Sequence, residues 1–377
     1  MKNLFYLPIL LTVLVFTSCD TDDDDHNHVE PVAVMAPDTY SFEREGITTV
    51  YYSGQTCRLE MADDIYFALN NPEAYSAQLI QEMFDSGTGF PVEYECGKNV
   101  GGKTAASSSA SSTVKGQFDA MITELYEEEG VAENWTNTAS VGIPGKITTS
   151  GLETYQVNAK GLEIDQAFIK GLIGAMCVDQ IANNYLTESK LDGDGTTNDT
   201  NGLLAGEDTN MEHYWDEGFG YLYGRDSQTN PALGVGVLLN KYLKKVNDIN
   251  GNEPGIGDVI YNAFKLGRAA IVEGEYGIRD EQAAIIKANL NKIIAYKAVD
   301  YLTGGASTIA SGADREDTFH GLSEGYGFVL SLQFTDYFSN VEVNSMLDEL
   351  MAGNGFWDVT ADQLNVMANN ISAVAGL

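Results

Sequence analysis

The chain has 377 residues, and its 55 acidic against 21 basic side chains give a formal charge of −34, which repels nucleic-acid phosphates and anionic lipid head groups. Hydrophobic residues make up 44%, enough for one large or two small domains with a real core. Past the N-terminus no apolar stretch approaches a membrane span, and the run around Leu172 to Val178 is interrupted by Gly171, Gly174 and Asp179.

At the N-terminus, Lys2 precedes an apolar run from Leu4 to Phe16, which is short for a span and laid out as a secretory signal over residues 1–18. The ending Phe16-Thr17-Ser18-Cys19 resembles the lipobox of bacterial lipoproteins, implying a mature chain that begins at an acylated Cys19. The plain alternative is an ordinary signal peptide with a coincidental cysteine. Several acyl chains on one residue anchor stably, at about 0.8 kcal/mol per buried methylene. Asp20, Asp22, Asp23, Asp24 and Asp25 follow, then His26 and His28, so residues 19–36 read as a disordered acidic tether with at most a loose metal site. An acidic cluster behind a lipidated cysteine also resembles the signal that sends Bacteroidota lipoproteins to the cell surface. That resemblance implies an outer-membrane protein facing the exterior; the alternative is a solvated spacer.

Aromatic and β-branched residues flank a Gly46 turn between Tyr40 and Ser53, predicting a hairpin that is the one clear strand signal. After Ser53-Gly54-Gln55-Thr56 a helix begins that stops at Asn70-Asn71-Pro72, and then comes a Gly/Ser/Ala/Thr-rich loop over 86–113. Helical periodicity predicts Val114 to Glu127, Leu162 to Leu186, Asn210 to Tyr223, Leu233 to Val246, Ile256 to Val272, Asp280 to Leu302, Asp314 to Phe334, Val343 to Met351 and Ala361 to Ala375. The Leu162 to Leu186 segment is apolar around nearly its whole circumference and belongs at the centre of a bundle. Among the cysteines, export would let Cys57 pair with Cys96 and leave Cys177 as a small apolar residue in a helix; the odd count leaves the bridge open.

Two long segments read as copies. Asp165-Gln166-Ala167 and Tyr185-Leu186 in one match Glu281-Gln282-Ala283 and Tyr301-Leu302 in the other at the same offset, and each is followed by His-x-x-x-Glu-Gly-aromatic-Gly-aromatic, from His213 to Tyr221 and from His320 to Phe328. Residues four apart share a helix face, so His213 points with Glu217 and His320 with Glu324, while the glycines admit a neighbouring backbone. Across a pseudo-twofold axis, two imidazoles and two carboxylates would suit a divalent metal such as iron or zinc. The bland alternative is two satisfied His–Glu pairs on packing surfaces. Asp216 occurs in the first copy only, as a possible accessory ligand.

Tyr40-Ser41-Phe42-Glu43-Arg44, Ser53-Gly54-Gln55-Thr56, Gln117-Phe118-Asp119 and the stretch from Glu212 to Tyr221 resemble the Bacteroidota domain-of-unknown-function family numbered 4856 over most of the mature chain. More distantly, a helical duplication with a His/Glu motif is similar to imelysin-like lipoproteins, which are associated with iron uptake and were once proposed to be peptidases. Their signature has the Glu three residues after the His, where only Asp216 stands here. Gly97 to Thr104 matches a P-loop literally but lacks the apolar strand and context, so no nucleotide site is expected. Asp192 to Asp199 resembles a calcium loop without its sixth-position Gly or final Glu, and reads as a turn.

The expectation is an all-α fold with a small N-terminal hairpin, residues 37–377 forming two related helical bundles of about 37–250 and 251–377. Its function would be a lipid-anchored surface protein that binds a metal ion or metal-bearing ligand, possibly in iron acquisition. The competing readings are a metallopeptidase with Glu217 or Glu324 as general base, and a structural or adhesive surface protein. The membrane, through the lipid, is the one partner implied.

Overall fold

The computed structural model describes residues 34–126, 136–192, 196–248, 251 and 254–377. The expected signal, Cys19 and most of the tether lie outside the described residues. Val34–Leu377 forms one packing unit.

Two strands, β1 (Glu43–Arg44) and β2 (Ile47–Thr48), pair antiparallel around a Glu45-Gly46 turn in which both residues have positive φ. Helices α1 (Ser53–Leu69) and α2 (Ala77–Asp85) follow, then α3 (Ser111–Tyr126). A second antiparallel hairpin, β3 (Gly145–Thr148) and β4 (Thr154–Val157), was not expected from the sequence. It leads into α4 (Ile164–Leu172), whose axis continues through wide π-helical turns at Ile173–Val178 and Ile181–Tyr185. The remaining helices are α5 (Asn210–Tyr223), α6 (Leu239–Val246), α7 (Ile256–Glu273), α8 (Tyr276–Ala310), α9 (Glu316–Ser331), α10 (Asn340–Leu350) and α11 (Ala361–Ala375).

Among the described residues the chain is thus all-α with two small hairpins. Phe168, Ile169, Leu172, Ile173, Met176 and Ile181 are fully buried, as an all-round apolar helix requires, and α4 packs along α9. Helices α7, α9 and α11 pack on the long α8. Gly274, at φ 75°, closes α7 and reverses the chain into α8 within two residues. Helices from before and after residue 250 share one core: α5 packs on α7, and Ile181–Tyr185 touches both α5 and α8.

Cys57 and Cys96 form a disulfide, tying α1 to the loop before α3, and Cys177 is a free, buried thiol inside the π-helical stretch. Among the described residues no helix is long and apolar enough to cross a membrane.

Candidate functional site

The first His–Glu motif rides on α5, whose start is fixed by a capping box between Thr209 and Glu212. His213 Nδ1 lies 3.0 Å from Asp208 Oδ2, and its Nε2 is 3.9 Å from Glu217 Oε1, so the expected shared face is real. The Asp208 hydrogen bond raises the His213 pKa above its usual value against the opposing effect of burial. Glu217 Oε1 accepts a 2.7 Å bond from Gln55 Nε2 of α1, beside the Tyr185 hydroxyl, which is also 3.5 Å from Lys103 Nζ. The lysine of the P-loop-like stretch therefore faces this polar group.

Asp216 turns the other way. It accepts from Arg268 Nε at 3.1 Å and from the Tyr40 hydroxyl, and burial pushes its carboxyl up to about 6 although Arg268 pulls it down. Arg268 is fully buried and also reaches Glu212 at 2.9 Å and Thr49 at 3.2 Å, while Glu212 pairs with Arg44 at 3.2 Å. This network stitches the N-terminal hairpin to α5 and α7. Asp216, considered from the sequence as a possible accessory ligand, has Arg268 and Tyr40 as its partners here.

The second motif rides on α9. His320 Nδ1 is 2.9 Å from Glu163 Oε2, and its ring stacks on Tyr155 of β4 at 4.5 Å between centroids. Glu324 Oε1 sits 3.1 Å from Lys170 Nζ and accepts from the Tyr242 hydroxyl at 2.8 Å. Lys170 also donates to Gln166 Oε1 at 2.7 Å, and Gln166 Nε2 reaches Asp165 and the Tyr66 hydroxyl, each at 2.7 Å. Ser323, the counterpart of Asp216, accepts from the Glu163 backbone N–H at 2.9 Å and so fixes the start of α4.

Environment separates the two glutamates here. Burial pushes Glu163 up to about 7, with His320 only partly offsetting it. For Glu324 burial also pushes upward, but Lys170, the Tyr301 and Tyr242 hydroxyls and His320 outweigh it and hold the carboxyl at about 2. A glutamate with a depressed folded pKa stabilises the fold fully above its ordinary value of 4.5 and loses that contribution as pH falls toward 2. Acid unfolding of the wild-type chain is therefore expected to show this loss below pH 4.5, and Glu324→Gln should flatten that stretch of the stability–pH curve. An unchanged slope in the variant would remove Glu324 from the acid response.

Gly220, Gly325 and Gly327 are close-approach sites, whereas Gly218 stands in ordinary van der Waals contact. A Cβ at Gly218 would lie 3.7 Å from Tyr185 Cβ, and one at Gly325 would lie 3.0 Å from Tyr301 Cβ. A Cβ at Gly220 would stand 2.5 Å from Tyr52 Cβ and 3.0 Å from Gln55 Cβ of α1; one at Gly327 would stand 2.4 Å from Lys170 Cβ and 2.8 Å from Ala167 O of α4. Each motif thus lets in one helix whose side chain, Gln55 or Lys170, donates to the motif glutamate.

Beside His320 opens a cavity of about 490 Å³, walled by Tyr66, Tyr155, Glu163, Asp165, Gln166 and His320 among others. Glu163 is 2% exposed, its Oε2 is held by His320, and its Oε1 has no hydrogen-bond partner.

A family model described as Domain of unknown function (DUF4856) matches residues 37–377. The chain belongs to the DUF4856 family. No curated protein and no solved structure matches it.

In this DUF4856 chain the four motif residues are not drawn into one group. Lys170, which holds Glu324, and Tyr185, beside Glu217, lie about 15 residues apart on one continuous helical axis, on the order of 20 Å of rise. Among the described residues no three His, Cys, Asp or Glu side chains are placed to hold a metal ion. The residues the motif reading missed are Glu163, Lys170, Tyr155 and Tyr242. Lys170 left a trace, being the one basic residue in a mostly apolar helix, since a buried lysine requires a partner. Asp192, in the calcium-like stretch, accepts from Thr197 N at 3.0 Å, as a turn residue does.

Proposed function

We propose that the chain is an exported lipoprotein, acylated at Cys19 and held at the outer membrane facing the exterior, that binds a small ligand in the cavity beside His320. The observation that carries the binding half is the cavity itself, about 490 Å³, walled by Tyr155, Asp165 and Gln166 beside a His320 imidazole that is more than a third exposed.

The residues present do not suit a free metal ion. Glu324 already receives the Lys170 ammonium and the Tyr242 hydroxyl, and Glu217 receives Gln55. A role in iron acquisition would then run through a metal-bearing molecule large enough to use the cavity. For a peptidase, Glu324 held at about 2 is a weak base toward water, which leaves Glu217 as the candidate base. One finding would restore the free-ion reading: stoichiometric iron or zinc in protein purified without chelators, lost in both His213→Ala and His320→Ala.

The anchor is tested separately. A Cys19→Ala variant should lose radiolabelled-palmitate incorporation and leave the membrane fraction; membrane association that survives the change would sink the lipid anchor. Protection of the protein from external protease on intact cells would place it on the inner leaflet side of the outer membrane.

A further inference from the structure

We infer that the cavity beside His320 takes a neutral, polyhydroxylated ligand of the saccharide class, an inference that rests on the reading of this cavity as a ligand site. The volume of about 490 Å³ falls within the roughly 300–1,000 Å³ of ordinary ligand pockets. Its wall mixes acceptors and donors at close range: the carboxyls of Glu163 and Asp165, the Lys146 ammonium and the His320 imidazole. Hydroxyl groups, which both donate and accept, can satisfy such a mixture; a ligand of one polarity cannot.

Charge narrows the class further. Glu163 is matched by His320 at 2.9 Å, and the neighbouring Glu324 by Lys170 at 3.1 Å. An ammonium ligand would have to compete with cations already built in, and an anion would meet Glu163 and Asp165. A molecule without net charge disturbs neither pair. Tyr66 and Tyr155 supply aromatic surface of the kind that packs against the C–H faces of a sugar ring, and Tyr155 is braced by its stack on His320. The His320 imidazole, more than a third exposed in the cavity wall, supplies a polar contact for one ligand hydroxyl.

The test is calorimetric titration of the detergent-solubilised mature lipoprotein with a panel of neutral mono- and disaccharides, with spermidine and inorganic phosphate alongside. At least one saccharide is expected to bind. His320→Ala should weaken it about tenfold, as loss of one hydrogen bond and of the brace behind Tyr155 predicts. Tyr155→Ala, at the more accessible edge of the cavity, should weaken it as well, with circular dichroism confirming that each variant is folded. Binding of spermidine or phosphate that both variants weaken, without saccharide binding, overturns the ligand class but leaves the cavity as a site. Saccharide binding that neither variant changes overturns the site itself, and no binding by any panel member overturns the saccharide inference.

Discussion

Replacing Arg268 by methionine is expected to lower the free energy of unfolding by about 3–5 kcal/mol, read as a drop in the urea midpoint at constant slope. Arg268 is fully buried and divides its guanidinium among Asp216, Glu212 and Thr49, with Phe42 packed on its face at 4.9 Å. Its removal leaves Asp216, which is also wholly buried, with only the Tyr40 hydroxyl, and leaves Glu212 with Arg44 and the Thr209 N–H. The cost arises chiefly from stranding a charge, so the pair matters more than either member. The double variant Arg268→Met with Asp216→Leu should accordingly lose less than the sum of its two single changes. Additive losses would show that the two side chains are not coupled. The stitch between the N-terminal hairpin and the bundle would then rest on packing.

Gly327→Ala is expected to cost about 2–3 kcal/mol, where an exposed helical glycine would gain up to about 1 kcal/mol from the same change. The new methyl would meet Ala167 O and Gly171 N at 2.8 Å and Lys170 Cβ at 2.4 Å, so α9 must shift away from the α4 backbone. Gly321, one turn and a half earlier on the same helix, is the control, because its nearest neighbour is Tyr301 Cδ1 at 3.9 Å. Gly321→Ala should be neutral or slightly stabilising. If both variants melt alike, the α4–α9 contact is looser than its geometry. Since the displaced backbone carries Lys170, the Gly327 variant should also weaken any ligand bound beside His320.

The helices that the sequence marks well are those with chemical punctuation. Asn210–Tyr223 and Ala361–Ala375 agree with their expected limits because Thr209 with Glu212 and Thr360 with Gln363 form capping boxes at their starts. Helix α6 begins at Leu239, six residues later than the periodicity from Leu233 suggested, because Gly234 and Gly236 adopt positive φ. Helix α8 overruns its expected end at Leu302 and continues through Gly304 and Gly305 to Ala310, since Gly305 seats Leu322 of α9. The β3–β4 hairpin escaped notice because each strand has four residues and mixed polarity. Missing it meant missing Tyr155. The pairing of His320 with Glu163 spans 157 residues, and local spacing carries no trace of such a contact. The motif was legible; its true partners were not.

The π-helical turns at Ile173–Val178 and Ile181–Tyr185 act as a phase adjuster between Lys170 and Tyr185. A π-turn accommodates what amounts to an extra residue in an α-helix, and each residue of α-helix advances the azimuth by about 100°. Winding the residues of Ile173–Val178 as plain α-helix, with none removed, would rotate everything beyond them relative to what precedes. Tyr185 would no longer face Gln55 while Lys170 still faced Glu324. The widened turns therefore set the angular register by which one rod serves two differently oriented neighbours, α5 at its far end and α9 along its start.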